Sequence, residues 1–265
     1  MDKRRRLTAW LRGEGIEVGA LNLPLGVHRD ARVRYVDRLT VGQQRSQYPE
    51  LAEEKLAPVD VIGNAEDLHA FADGSLDFVI ANHLLEHLED PIAGLLEFER
   101  VLKNGGIVYL GLPDQRRTFD RERELTSIEH LLRDHEEGGL ASRREHYLDW
   151  AKHVAHVQPG ELDGYVESSM SDEYSIHFHC WRPDTFLDFF VAVRQKFELD
   201  FEMVAFAPPE TDDDFEFIVV LAKGRFDGVR LPSGKPHSRL RQVVLGGPLG
   251  RPLRAVRRAS TKLRK

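Results

Sequence analysis

The chain has 265 residues, of which 41% are hydrophobic and 31% charged, with a formal net charge of −7, so its composition is that of a globular protein. No run approaches the ~18 apolar residues that a membrane span requires, which excludes an integral membrane protein. Its single cysteine, Cys180, excludes an internal disulfide framework, and a polar stretch follows the basic first residues where a secretory signal would be apolar, so we expect a cytoplasmic protein.

Short apolar runs alternate with helical patterns between residues 15 and 112, which predicts a parallel sheet covered by helices. The predicted strands span residues 16–20, 33–36, 59–62, 76–81 and 107–112. A helix is predicted over residues 91–102, because a proline begins the segment and the pair Gly105-Gly106 follows it.

The second half of the chain changes character. Residues 114–175 are rich in charge and histidine and predict a helical insertion, or lid, and residues 183–197 carry the apolar face of a further helix. Two strands, 201–206 and 215–221, are expected to form an antiparallel pair at the sheet edge. We therefore predict one α/β domain over residues 1–222.

Acidic and glycine residues follow the predicted strands in a characteristic order. Glu17-Val18-Gly19 closes the first strand, Tyr35-Val36-Asp37 the second, and Asn64-Ala65-Glu66-Asp67-Leu68 follows the third. Further along lie 73–80 (DGSLDFVI), 83–88 (HLLEHL) and 100–106 (RVLKNGG). In doubly wound sheets, ligands bind beyond the carboxyl ends of such strands.

Over residues 15–113 the order of these motifs resembles the class I S-adenosylmethionine-dependent methyltransferases. The resemblance implies a Rossmann-like sheet of seven strands ending in an antiparallel hairpin, with S-adenosylmethionine as the cofactor. It places Asp37 at the ribose hydroxyls and Asn64 near the adenine. The full set of expected cofactor-binding residues is Glu17, Gly19, Asp37, Asn64, Ala65 and Asn82.

The first loop departs from the family pattern. Gly19-Ala20-Leu21-Asn22 stands where the family has Gly-x-Gly-x-Gly, and about a dozen residues before the second strand leave hardly any room for the usual helix. A nucleoside-binding protein without catalytic activity is the alternative hypothesis. A nicotinamide-dependent dehydrogenase is disfavoured, because the Gly-x-Gly-x-x-Gly fingerprint is missing.

His83, Glu86 and His87 would share one face of a helix at the end of the fourth strand. The pattern resembles the Glu-x-x-Glu-His site of magnesium-dependent members of the superfamily, with His83 replacing a glutamate. A divalent metal bound by these three residues is therefore one hypothesis, and a metal-free site in which His83 faces the substrate is the favoured one.

Methyl transfer to an alcohol requires a base for the hydroxyl proton, and the preferred candidates are His83, His130 and, in a supporting role, His87. The insertion and the segment after it offer further candidates: Asp114, Asp120, Asp134 and the cluster 177–181 (HFHCW). The segment 118–130 also resembles a subgroup of bacterial methyltransferase-domain proteins often linked to glycan assembly, which implies a sugar or glycan precursor as acceptor. Four arginines could bind a phosphate or an acidic sugar, or form a solvated face: Arg116, Arg117, Arg121 and Arg123.

Residues 223–265 contain 13 Lys or Arg and a single acid, Asp227, so a tail of charge +12 follows a body of charge −19. Leu249, Leu253 and Val256 alternate with arginines there, and this amphipathic pattern suits an anionic membrane surface. A flexible tail without a partner is the alternative. Nucleic acid is a less suitable partner, because the body is acidic and the tail has only Phe226 to stack on bases.

Overall fold

The computed structural model describes residues 3–225. Its seven strands are β1 (Gly13–Val18), β2 (Ala31–Asp37), β3 (Val61–Ile62), β4 (Leu76–Asn82), β5 (Leu102–Pro113), β6 (Phe201–Ala207) and β7 (Glu216–Lys223). Its α-helices are α1 (Lys3–Leu7), α2 (Val41–Gln47), α3 (Pro91–Val101), α4 (Ile128–Glu137), α5 (Arg143–His153), α6 (Leu162–Ser171) and α7 (Pro183–Lys196).

The strands form one sheet in the order β3-β2-β1-β4-β5-β7-β6. The first five strands are parallel, whereas β7 pairs antiparallel with both β5 and β6. This is the Rossmann-like seven-stranded methyltransferase sheet that the sequence predicts. The strand order reverses between β1 and β4, where ligands bind in sheets of this kind.

The sheet is buried on both faces, as expected of a mainly parallel sheet. Val79 and Leu110 belong to a core that also includes Phe98 of α3 and Phe189 of α7, and Ile80 and Tyr109 face a second, smaller core. No helix separates β1 from β2, as the short spacing predicts.

The chain between β5 and α7 contains α4, α5 and α6, consistent with a helical insertion. α5 and α6 build their own small core around Tyr147, Ala151 and Val166, together with Ile176 and Phe178 of the segment that follows. None of the helices in the described part of the chain is long and apolar enough to span a membrane.

Almost all of the basic tail lies outside the described residues. Only its first three positions, residues 223–225, are within them. Lys223 ends β7, and its Nζ donates to the carbonyl oxygens of Glu99 (2.6 Å) and Leu102 (2.9 Å). Residue 223 is thus part of the folded sheet, and the predicted start of the tail at this position is one residue or more too early.

Candidate functional site at the carboxyl ends of the strands

All six of the residues expected at the cofactor lie at the carboxyl ends of β1 to β4. Glu17 is the penultimate residue of β1 and Asp37 the last residue of β2, and Asn82 ends β4. Because β1 pairs in parallel with both β2 and β4, these three ends lie side by side. Gly19 follows β1 directly, and Asn64 and Ala65 follow β3.

Glu17 is almost fully buried and fastens the loop after β1. Both of its carboxylate oxygens accept from the backbone N–H of Leu25, at 3.0 Å. Burial raises the pKa of Glu17 to about 7, although the Leu25 hydrogen bond acts in the opposite direction. Glu17 therefore shapes the loop that replaces the missing helix.

Gly19 occupies a position that favours glycine. Its φ is +71°, and its N–H donates to the carbonyl of Val36 at 2.9 Å. A Cβ atom there would lie 3.3 Å from Cδ1 of Leu84, which follows β4. The backbone of the first loop thus packs against the side chain of Leu84, just after β4.

Asp37 and Asn64 each use a side-chain oxygen to close a turn. Asp37 Oδ1 accepts from Leu39 N at 2.8 Å, and Asn64 Oδ1 accepts from Glu66 N at 3.2 Å. Burial raises the pKa of Asp37. Ala65 is fully buried in the core.

Asn82 provides the observation that best fits a nucleoside cofactor. Both the nitrogen and the oxygen of its side-chain amide are buried. The amide nitrogen side interacts with the carboxylate of Glu17, whose pKa it helps to lower, whereas the amide oxygen has no partner within the described residues. Buried polar atoms are nearly always paired in native proteins, so an unpaired amide oxygen at the switch point indicates a ligand that pairs with it. The residues present therefore fit S-adenosylmethionine, and Asn82, Asp37 and the backbone around Gly19 are the groups that would hold it.

His83, directly after β4, forms a charged contact with β7. Its Nε2 lies 3.0 Å from Oε2 of Glu216, and its Nδ1 lies 3.4 Å from Oε1 of Glu86. Arg4 of α1 contacts the same Glu216 oxygen at 2.6 Å. Burial disfavours the imidazolium, but the two carboxylates outweigh it and raise the pKa of His83 to about 9. His83 is thus protonated at neutral pH, which does not suit the general base that the sequence predicts.

The predicted helical face of His83, Glu86 and His87 is wrong. Residues 85–87 form a single 3₁₀ turn, and His83 has a left-handed backbone with a φ of +48°. The ring of His83 therefore turns toward β7. Among the described residues, Glu86 and His87 group instead with His177, their ligand atoms lying within 4.8 Å of one another.

His87 is half-buried beneath the segment that precedes α7. Its Nδ1 lies 2.8 Å from the carbonyl oxygen of Ile176 and 3.1 Å from Oγ of Ser175. Burial and the nearby His177 lower the pKa of His87 to about 4, so its ring is neutral at pH 7. The supporting role of His87 stays a prediction.

A second acid–histidine pair lies beside His87. Nδ1 of His177 lies 2.6 Å from Oδ2 of Asp120, and the rings of His177 and His87 meet edge to face, with centroids 4.6 Å apart. The sequence shows both residues among many polar ones, but nothing in it indicates that positions 57 apart form a pair. His177 and Asp120, two of the further candidates that the sequence offers for the base, are therefore brought together as one pair by the fold.

His130, the other predicted base, lies in the first turn of α4. Its Nε2 is 3.1 Å from Oδ2 of Asp134 and 3.2 Å from Nε2 of His146. His130 is thus part of a cluster within the insertion, separate from the contacts of His83.

The four predicted anion-binding arginines have different environments. Arg123 is buried between Asp120 and Asp149, at 2.9 and 2.6 Å, and is not available to a ligand. The other three line a cavity of about 450 Å³ that begins just after β5. Its lining residues are Arg116, Arg117, Thr118, Phe119, Arg121, Glu122, His153, Val154 and His156.

Phe119 connects this cavity to the acid–histidine pair. Its ring is 51% exposed on the cavity side and lies 4.7 Å from the ring of His177, measured between centroids. A molecule bound against Phe119 would therefore lie close to His177.

Comparison with known proteins finds similarity in the first half of the chain. Residues 16–110 match the family model described as "Methyltransferase domain". This match spans most of the parallel part of the sheet, from β1 to β5. The chain is also 32% identical over 104 residues to "Uncharacterized protein MJ1123" of Methanocaldococcus jannaschii, a match that covers 39% of this chain and 46% of that protein, less than half of the relative's length.

Solved structures give similarities of lower identity. A Thermotoga maritima structure described as a SAM-dependent methyltransferase, possible histamine N-methyltransferase, is 17% identical, with 84% of this chain and 87% of that chain covered and a TM-score of 0.44. A Methanosarcina mazei structure described as a SAM-dependent methyltransferase is 16% identical, with 84% and 98% covered and a TM-score of 0.46.

Proposed function

We propose that the protein is an S-adenosylmethionine-dependent methyltransferase that methylates a hydroxyl of a sugar or glycan precursor. The observation that carries the proposal is the buried, unpaired oxygen of the Asn82 amide at the switch point. It lies near the acid that ends β2, within a region that matches the methyltransferase domain model. S-adenosylmethionine, when bound, supplies an electrophilic methyl group on a sulfonium. The protein has to hold the acceptor hydroxyl in line and remove its proton.

The pair of His177 and Asp120 is suited to taking up that proton. Asp120 holds Nδ1 of His177 at 2.6 Å, which leaves Nε2 as the nitrogen that can accept a proton. The carboxylate also stabilises the imidazolium that forms. His83, which is already protonated, would instead supply positive charge near the acceptor.

The cavity after β5 supports an acceptor with a negative charge. Arg121 is exposed, and within residues 3–225 its side chain makes one loose ion pair, with Glu122 at 3.9 Å. An exposed aromatic ring next to arginines suits a sugar that carries a phosphate or carboxylate, because the ring packs on the apolar face of the sugar while the guanidinium pairs with the anion. We therefore propose acidic sugars or sugar phosphates as the acceptor class.

Two measurements test this function in sequence. Calorimetric titration of the full chain with S-adenosylmethionine and S-adenosylhomocysteine should show binding of both, and binding of neither would contradict the proposal. Mass analysis should then find products 14 Da heavier, the mass of one CH₂, with sugar phosphates or uronic acids and not with the matched neutral sugars. Binding without methylation of any acceptor would favour the non-catalytic nucleoside-binding protein.

Within the same proposal, the basic tail brings the enzyme to an anionic membrane surface on the cytoplasmic side. The tail lies almost wholly outside the described residues, so the argument rests on its charge of +12 against an acidic body. A lipid-linked glycan precursor would be available at such a surface.

A further inference from the structure

Four side chains of the helical insertion converge on one point. His130 and Asp134 belong to α4, His146 belongs to α5, and His179 lies in the segment before α7. Their ligand atoms all lie within 4.8 Å of one another. We call these four residues the His₃Asp cluster. They come from three separate elements: α4, α5 and the segment before α7.

The interatomic distances are close to those of a tetrahedral coordination shell. Oδ2 of Asp134 lies 3.1 Å from Nε2 of His130, 3.4 Å from Nε2 of His146 and 4.0 Å from Nε2 of His179. The Nε2 atoms of His130 and His146 are 3.2 Å apart. Ligands about 2.0–2.1 Å from a tetrahedral zinc ion are separated by about 3.3–3.4 Å.

Hydrogen bonding alone explains this arrangement poorly. The Nε2 atoms of His130, His146 and His179 surround one oxygen of Asp134, and the first two nitrogens also contact each other. The three rings therefore cannot all direct an N–H proton at the centre of the cluster. A cation at the centre would satisfy all of the lone pairs at once.

The surroundings of the cluster hold its ligands in place. Oγ of Ser142 donates to Oδ1 of Asp134 at 2.6 Å, which leaves Oδ2 directed at the histidines. His179 is fully buried, and its Nδ1 has no partner within the described residues. Its Nε2 also lies 3.4 Å from the carbonyl oxygen of Glu89, a long contact that a metal bond would replace.

Metal binding at the cluster requires the side chain of Arg133 to move. Arg133 lies 2.7 Å from Nδ1 of His130, whereas a neutral ring that binds metal through Nε2 carries its proton on Nδ1. Arg133 is 48% exposed and already lies 3.7 Å from Glu145, so its guanidinium can move to that carboxylate without disturbing the core.

We propose that the His₃Asp cluster is a zinc site that fastens the insertion to the domain. Three imidazoles and one carboxylate form a closed tetrahedral set, which is typical of a structural ion rather than of a catalytic one with an open position. The site is distinct from the predicted set of His83, Glu86 and His87, and it does not depend on the proposed methyl transfer. It makes His130 a ligand rather than a base.

Metal analysis of the full-length protein tests the site. After removal of metal with a chelator and titration with Zn²⁺, the protein should bind about one ion in the cluster. Cobalt(II) should give the visible absorption bands of a tetrahedral complex. Asp134→Asn, which keeps the size of the side chain, should abolish binding, and Ser142→Ala should weaken it about 10–100-fold.

Two further variants make the assignment specific. His153→Ala removes another histidine of α5 and should bind zinc as the wild type does. Glu86→Gln should also retain the ion; its loss in this variant would place the metal with Glu86, His87 and His177 and overturn the proposal. The proposal would equally fail if the wild-type chain took up neither Zn²⁺ nor Co²⁺ at micromolar concentrations.

Discussion

His83 lies 3.0 Å from Glu216, so the loop after β4 is joined to the first residue of β7 by a charged contact. The same carboxylate binds Arg4, which lowers the pKa of Glu216 to about 2, against the effect of its burial. The carboxylate of Glu216 thus pairs with two cations, Arg4 and His83, from distant parts of the chain. The charge of His83 should be visible in the pH dependence of stability.

We expect the stabilisation from His83 to disappear at alkaline pH. Its pKa is raised from 6.5 to about 9 on folding, so its contribution is fully present below pH 6.5 and is lost as the pH rises through about 9. The free energy of unfolding of the wild type should exceed that of His83→Asn by about 3 kcal/mol more at pH 6 than at pH 10. Urea unfolding at several pH values measures this, with the exposed His69→Asn as control. A constant difference would contradict the assigned charge.

The ionisation of Glu17 should make the free energy of unfolding depend on pH in a lower range than that of His83. Because burial raises its pKa from 4.5 to about 7, its contribution is present below pH 4.5 and is lost as the pH rises through 7. Glu17→Gln keeps an acceptor for Leu25 and removes the titration, so the variant should gain up to about 3 kcal/mol relative to the wild type between pH 4 and pH 8. Glu14→Gln, at an exposed position of the same strand, should show no such gain in denaturant unfolding.

Cofactor affinity should depend on Asp37. Asp37→Ala removes charge-assisted hydrogen bonds worth about 1.5–3 kcal/mol, so S-adenosylhomocysteine should bind about 10–100-fold more weakly in calorimetry. Because Asp37 also closes the turn to Leu39, Asp37→Asn should be measured beside it. Asp213→Ala changes an exposed acid and should bind normally. Wild-type affinity in Asp37→Ala would mean that this acid does not contact the ribose.

The buried arginine of the insertion should matter for stability. Arg123 is 5% exposed and pairs with both Asp120 and Asp149. Arg123→Met removes the guanidinium that lies between these carboxylates, so that among the described residues Asp120 keeps only its ion pair with His177 and Asp149 only its ion pair with His153. The change should lower the free energy of unfolding by about 3–5 kcal/mol, because it breaks a buried ion pair. Arg121→Met, at a position 71% exposed, should change it by less than about 0.5 kcal/mol. If Arg123→Met and Arg121→Met lowered the free energy of unfolding equally, the stabilising role assigned to the buried Arg123 would be wrong.

Replacement of Arg254, Arg257 and Arg258 by Glu in the full chain should abolish sedimentation with vesicles that contain phosphatidylserine. The charge reversal removes an attraction of roughly 1 kcal/mol per basic residue, which salt also screens. Cofactor binding should be unchanged. The membrane proposal fails if the wild-type chain does not sediment with these vesicles at low salt, or if it sediments equally well with neutral ones.

The sequence predicts the sheet because apolar runs and strand-end acids follow local rules. The extent of β1 and β5 is less predictable. β1 begins at Gly13 rather than at residue 16. Glycine is required at position 15 of this strand, because a Cβ atom there would lie 2.4 Å from the ring of Phe78. β5 begins at Leu102, which pairs with Leu76 ahead of an irregularity in the ladder.

The candidate site is only partly predictable for a related reason. Glu17 and Asp37 follow strands, so their position is given by the strand itself. The pairing of Asp120 with His177, or of His130 with His146 and His179, depends on how the insertion packs against the loop after β4. No periodicity of the sequence carries that information, since these residues belong to different elements.

The contact of Arg4 with Glu216 has a consequence for folding. The two residues are 212 positions apart, and His83 lies between them in the sequence. During synthesis, residues 1–215 can emerge from the ribosome while His83 still lacks its main counter-ion. The charged contact beside the site therefore forms only after the last strand of the sheet has been translated, and it should be among the last native interactions to form.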